Sequence, residues 1–222
     1  MARNTWATFT LCAVVACLSL EATGAVVNPT DDAAVRNSAP DDTLGITEEG
    51  TVLTWTDYMN GWRGRSYIKF PLGGMPPRSQ VVSAELHLYQ YDAGGFVPIV
   101  NIHHVDDDLW TESAITWNNQ PVPAPTAASM IVSKDIGFGV GWVSFDLLAG
   151  GVWDYDSDLG DGCVSLLVKS TELGDERHNF HSSEEAVAGD YQPYLEITVP
   201  EPAGVSLLAL GGWVLLRRRR RA

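Results

Sequence analysis

Residues 84–91 read Ala-Glu-Leu-His-Leu-Tyr-Gln-Tyr, an alternation of period two. In an extended chain successive side chains point to opposite faces. Ala84, Leu86 and Leu88 therefore share one face, and His87, Tyr89 and Tyr91 share the other. The pattern recurs at Trp142–Leu148, where Val143, Phe145 and Leu147 oppose Trp142, Ser144 and Asp146, and at Tyr194–Val199, where Leu195, Ile197 and Val199 oppose Tyr194, Glu196 and Thr198. Each is the signature of a strand with one buried face. A helix would scatter these apolar residues around its circumference.

Further strands are predicted at Val52–Thr56, Arg65–Phe70, Val81–Tyr91, Pro98–Val105, Ile131–Ile136, Gly162–Lys169 and Asn179–Ser182. Glycine and proline clusters punctuate them: Gly73-Gly74 with Pro76-Pro77, Gly94-Gly95, Pro121 to Pro125, and Gly150-Gly151. No long stretch carries a helical period. Many short half-buried strands predict an all-β fold, an antiparallel β-sandwich of jelly-roll type. An immunoglobulin-like sandwich is the runner-up, weakened by the missing cysteine pair.

The two ends follow different rules. Residues 1–25 carry Arg3, an apolar run from Trp6 to Leu20, and small residues at Thr23 and Ala25, the pattern of a secretory signal helix cut after Ala25. At the other end, Ala203–Leu216 is an apolar run of 14 residues followed by five arginines, Arg217, Arg218, Arg219, Arg220 and Arg221. As a helix such a run reaches about 21 Å against roughly 30 Å of hydrocarbon. Bilayer thinning and snorkelling arginines extend that reach, and the positive-inside rule puts the arginines in the cytoplasm.

Pro200-Glu201-Pro202, then the apolar helix, then the basic cluster resembles a PEP-CTERM sorting signal. The resemblance implies a Gram-negative bacterium, export, transient anchoring in the inner membrane and cutting by an exosortase. The implied partners are the Sec machinery and the exosortase, and the implied destination is the periplasm, cell surface or extracellular matrix. The expected division is thus a signal at 1–25, one domain at 26–199 and a sorting segment at 200–222.

The whole chain has a formal charge of −14. Residues 26–199 hold 8 of the basic and 26 of the acidic residues, a net −18. Phosphate backbones need a basic footprint, so nucleic acid is excluded as a partner. Polyanions are repelled unless a cation bridges them. Cys12 and Cys17 fall in the signal, leaving Cys163 alone, so the domain has no internal disulfide.

Leu109–Pro121 reads LWTESAITWNNQP, and Trp110, Glu112, Ile115, Thr116, Trp117, Asn118 and Pro121 carry a W-x-E-x-x-[IV]-T-W-x-x-x-P pattern. It resembles the signature of DNRLRE-type, disaggregatase-related domains. The flanking pieces RSYIKF, VVSAELHLY, WVSFDLLAGGVW, NFHSSE and PYLEITV follow in the expected order. The resemblance implies a jelly roll akin to carbohydrate-binding modules. The indoles and the carboxylate of the signature read as a corner locked onto the core, a mark of the fold rather than of a ligand.

Three groups of residues could carry chemistry. The outward row His87, Tyr89 and Tyr91 places rings about 7 Å apart, with Trp142 and Tyr194 as neighbours. Sugar rings stack on such platforms, and phenol and imidazole groups take their hydroxyls. Asp154, Asp156 and Asp158 at two-residue steps, with Asp161 beyond, could converge in a glycine-bent loop on calcium, a hard cation wanting oxygen. The alternative is a solvated acidic turn. Asp31, Asp32, Asp41 and Asp42 lie where sandwich modules often hold a structural calcium, so this ion is the one cofactor suggested. His103-His104 point to opposite faces and cannot chelate together, and the same holds for His178 and His181.

No nucleophile elbow, metalloprotease helix or phosphate loop is present. The expected function is a non-catalytic, exported surface protein that binds polysaccharide. The rivals are a polysaccharide lyase or glycoside hydrolase and a structural matrix protein without a specific ligand.

Overall fold

In the computed structural model the described residues are 22–47, 51–57, 59–122, 124–184 and 190–200. They form β1 (Ala22–Val27), β2 (Asp31–Arg36), α1 (Leu44–Thr47), β3 (Thr51–Asp57), β4 (Trp62–Pro71), β5 (Ser83–Gly95), β6 (Ile99–Val105), β7 (Met130–Asp135), β8 (Gly141–Asp146), α2 (Tyr155–Asp161), β9 (Cys163–Ser170), β10 (Glu176–His181) and β11 (Tyr194–Pro200). The compact unit is Thr23–Pro200. Residues 1–21 of the expected signal and the expected sorting helix, with Glu201, Pro202 and Arg217 to Arg221, lie outside the described residues; residues 22–25, expected in the signal helix, instead open β1, and Pro200 ends β11. Among the described residues no helix is long and apolar enough to cross a membrane.

The predicted all-β sandwich is what forms. One layer is built on β5, which pairs β8 along one side and β10 and then β11 along the other. The second layer runs β2, β4, β9, β6 and β7 through antiparallel pairs. β3 joins the layers by pairing β10 on one side and β4 on the other. Between them, Ala84, Leu86, Leu88, Phe145, Leu147, Phe180, Leu195 and Ile197 of the first layer meet Ile68, Phe70, Val100, Ile102, Val164, Leu166 and Val168 of the second, all fully buried. These are the apolar members of the period-two pattern, and their removal from water is the main drive for the fold.

Four elements depart from expectation: β1, whose first residues fall in the expected signal helix, α1, where no helix was predicted, and the two that follow. β2 was not predicted, because Asp32–Val35 is buried on both faces and shows no alternation. The stretch DYDSDLGD, expected as a glycine-bent loop, is the helix α2. Asp154 caps it by accepting from the Ser157 N–H, Asp156 and Asp158 fall in its first turn, and Gly162 ends it at φ 90°. Carboxylates near a helix N-terminus and a left-handed glycine after its C-terminus favour that outcome.

Candidate functional site

The outer face of the first layer gathers rings from four strands. His87, Tyr89 and Tyr91 stand on β5; Tyr194 faces His87 across β11, and Trp142 faces Tyr89 across β8. All five predicted residues come together. The imidazole of His87 stacks on Tyr194 at 4.4 Å and 7°. Trp142 packs edge-on against Tyr89 at 5.4 Å and Tyr194 at 5.3 Å. Two further rings belong to the group. His181 of β10 stacks on Tyr91 at 4.6 Å, and Tyr191, on the segment before β11, lies 4.1 Å from Tyr89 and 5.5 Å from His181.

Sequence reasoning missed these two because it read each strand singly. Their signal lies in topology: β10 and β11 follow one another along one side of β5, and Tyr191, just before β11, lies on the same face. Edge-on and offset contacts lock the rings into a ridge. The rings are half-buried, and Trp142 stays 43% exposed.

The electrostatics of the ridge are mild. Glu196 and Glu85 lie 3.5 and 3.8 Å from His87 Nε2, yet burial outweighs both and holds the imidazole below its usual range, hence neutral. Burial likewise raises the Tyr194 hydroxyl. The face therefore offers neutral rings, a neutral imidazole and hydroxyls, with acceptor carboxylates at its rim.

The outer face of the second layer is covered. The signature segment crosses it and buries Trp110 and Ile115 with Ala33, Val35, Tyr67, Val105 and Leu167, with Trp117 packed beside them. The Trp110 indole donates to Ser165 Oγ at 3.0 Å, while Lys69 Nζ sits over its ring and donates to its carbonyl. Arg65 lies 4.7 Å over Trp117, donates to Gln120 and forms a 2.7 Å ion pair with Glu172. Glu112 lies against Gly45, where a Cβ would come within 2.5 Å of its Cγ. Thr116 is held by Asn119, Asn118 donates to Asp41 at 2.8 Å, and Pro121 lines a shallow hollow with Trp110 and Ile115.

Residues 23–199 match the model of carbohydrate-binding module family 96. The chain belongs to that family. It is also similar to a gellan lyase from a Bacillus species, 32% identical over 96 residues, which are 42% of this chain and 4% of that enzyme. The match thus spans a small fraction of the relative's length.

In this family 96 module the aspartates suggested for calcium are dispersed. Asp154 caps α2, Asp156 accepts from the Arg78 N–H at 2.7 Å, and Asp158 turns inward to accept from Trp153 Nε1 at 2.7 Å and His104 Nε2 at 2.8 Å. Asp161 is exposed at the end of the helix. The helix corrects the loop expectation, since a loop could fold alternate carboxylates inward and α2 does not. Asp32 is buried and accepts from the Ser183 N–H at 2.8 Å, whereas Asp42 is exposed. Asp31 pairs with Lys69 at 3.6 Å. Among the described residues no group of three or more histidine, cysteine or acidic side chains could hold a metal ion.

Burial, reinforced by Glu184, pushes Asp32 up to about 7. His103 is pushed down to about 4 by burial, and His104 is raised by its bond to Asp158. Burial pushes the Cys163 thiol up to about 11, which leaves little thiolate at neutral pH.

Proposed function

We propose that this module binds polysaccharide through the aromatic ridge of its first layer, without catalysis, as an exported surface or matrix protein. The observation that carries the reading is the convergence of His87, Tyr89, Tyr91, Trp142 and Tyr194, joined by His181 and Tyr191, on one sheet face with the Trp142 indole exposed. Exposed rings on a rigid sheet meet the C–H faces of sugars at little entropic cost, because the cross-strand contacts already hold them. The opposite face suits a ligand less well. Its cations Arg65, Lys69 and Lys169 are buried, engaged by Glu172, Asp31 and the signature segment, and serve the fold.

A glycan with few charges is favoured, since carboxylates rim the ridge and the domain is strongly acidic. Similarity to 4% of a lyase fits a module that such an enzyme carries beside its catalytic machinery. The C-terminal pattern at Pro200-Glu201-Pro202 supports Sec export, transient anchoring and exosortase processing. Intact mass of the protein recovered from the cell surface should show loss of the arginine tail.

Affinity electrophoresis of the purified protein in gels of neutral and acidic polysaccharides, with calcium and with chelator, tests the ligand. Retardation by a neutral polymer in both conditions supports the reading. Retardation by acidic polymers with calcium alone would instead mean that carboxylates bridge like charges through the ion. Release of reducing ends or unsaturated products would replace it with catalysis.

A further inference from the structure

The ridge does not end at Tyr91. The pairing of β5 with β10 slips there: Asn179 pairs with Asp92 and Phe180 with Gln90, leaving Tyr91 as an extra residue. Such a bulge re-aims the side chains that follow it. Without it, Asp92 and Gly94 would fall in phase with the inward residues Leu88 and Gln90. With it, Tyr91 stacks on His181 while Asp92 meets Asn179 at 3.2 Å and Arg177 at 3.0 Å. His181, Asn179 and Arg177 are alternate residues of one strand and share its outer face. The bulge therefore carries that face onward, from rings to a polar stretch.

The stretch opens into a cleft of about 350 Å³ lined by Thr56, Asp57, Gly94, Gly95, Glu176 and Arg177. Gly94 lies opposite Arg177, and neither Gly94 nor Gly95 puts a side chain into the floor. At Gly95 a side chain is forbidden, because φ is 112° and a Cβ would lie 2.2 Å from the Asp175 carbonyl oxygen. Asp57 accepts from the Asn60 N–H at 3.0 Å and Nδ2 at 2.8 Å, bonds that hold its carboxyl below the usual range and keep it ionised as an acceptor. Phe96, 82% exposed, follows Gly95 at the cleft's end of the strand.

We infer that this cleft is a second, polar subsite of the same binding track, and that the ligand is a linear, uncharged glycan long enough to lie on the ridge and reach it. The inference rests on the ridge binding glycan. His87 to Gly95 is eight strand steps, roughly 26 Å, the span of several linked sugar rings. Stacking alone distinguishes sugars poorly, because it reads a ring's apolar face. The cleft adds an acceptor at Asp57 and a donor at Arg177, which Asp92 holds in place from beside it; these groups read hydroxyl positions, and the carboxylates repel a uronate.

The test is calorimetric titration of the purified protein with neutral oligosaccharides of two to six residues, cut from whichever neutral polymer retards it. Affinity should rise at least about tenfold from the shortest to the longest chain. Gly94→Val places a branched side chain on the cleft floor at a position free of backbone strain, where a Cβ meets only Arg177 at 3.8 Å. It should bring the longest chain down to the affinity of the shortest and leave the shortest unchanged. Arg177→Ala, at a side chain half exposed, should do the same in part, with an unaltered thermal midpoint for both variants. Equal affinity for all lengths, or full length dependence retained in folded Gly94→Val, overturns the track and leaves the ridge standing. Failure of every neutral chain to bind, or binding untouched by Trp142→Ala, overturns both.

Discussion

The two outer faces use similar residues to opposite ends. On the second layer, Trp110 and Trp117 are met by Lys69 and Arg65, the Trp110 indole is bonded to Ser165, and the segment that carries them closes over the sheet. On the first layer, Trp142 meets Tyr89 and Tyr194 in T-shaped contacts and keeps much of its surface in water. Aromatic content therefore does not mark a binding face. What marks it is whether the rings' contacts are exhausted within the fold. A ring capped by a cation and a strap has no face left for a sugar.

Substitutions can break this comparison, and the largest effect is expected on the covered face. Trp110→Ala removes a buried indole, its bond to Ser165 and the seat of Lys69, and should cost about 3–5 kcal/mol. A thermal or denaturant melt reads this directly, and a loss below about 1 kcal/mol would show that the strap is dispensable. Next, Arg65→Ala removes the nearest donor to Glu172 and one of the donors to Gln120, whose Oε1 keeps the Tyr67 hydroxyl at 3.0 Å. Lys169 and Arg63 remain within 3.5 and 3.7 Å of Glu172, so the cost should be about 2–3 kcal/mol rather than the full penalty of a stranded charge.

Asp32 tests the fold's electrostatics with a definite sign. Its folded pKa of about 7 lies above the ordinary value of 3.8, so the folded state holds a proton that the unfolded state releases. Its contribution to stability therefore falls as pH rises between about 4 and 7 and is constant above. Asp32→Asn should raise the thermal midpoint most above pH 7, with the gain shrinking through that window and vanishing near pH 4. A gain that does not change with pH would contradict the assignment. The smallest stability effect belongs to the open face, where Trp142→Ala should cost about 1 kcal/mol or less.

The sheet was legible in the sequence where one face is wet. The period-two runs at Ala84–Tyr91, Trp142–Leu148 and Tyr194–Val199 put their apolar members in the core and their rings on one outer face. Where both faces are dry the pattern disappears, and β2 went unread for that reason. Gly94-Gly95, expected as a turn, closes β5 instead, because the antiparallel partner β10, distant in sequence, supplies its ladder bonds. The helix α2 was hidden by its own capping residues, which look the same in an acidic loop. His181 and Tyr191 reach the ridge through strand order, and no local pattern encodes that order.

The most direct measurement pairs binding with melting in Trp142→Ala and Trp110→Ala. Retardation by a neutral polysaccharide and the thermal midpoint would be read on the same protein samples. The account predicts that Trp142→Ala loses retardation and keeps its midpoint, while Trp110→Ala loses several degrees of midpoint and, wherever still folded, keeps retardation. Binding that survives Trp142→Ala but disappears in folded Trp110→Ala would place the ligand on the covered face and contradict the account.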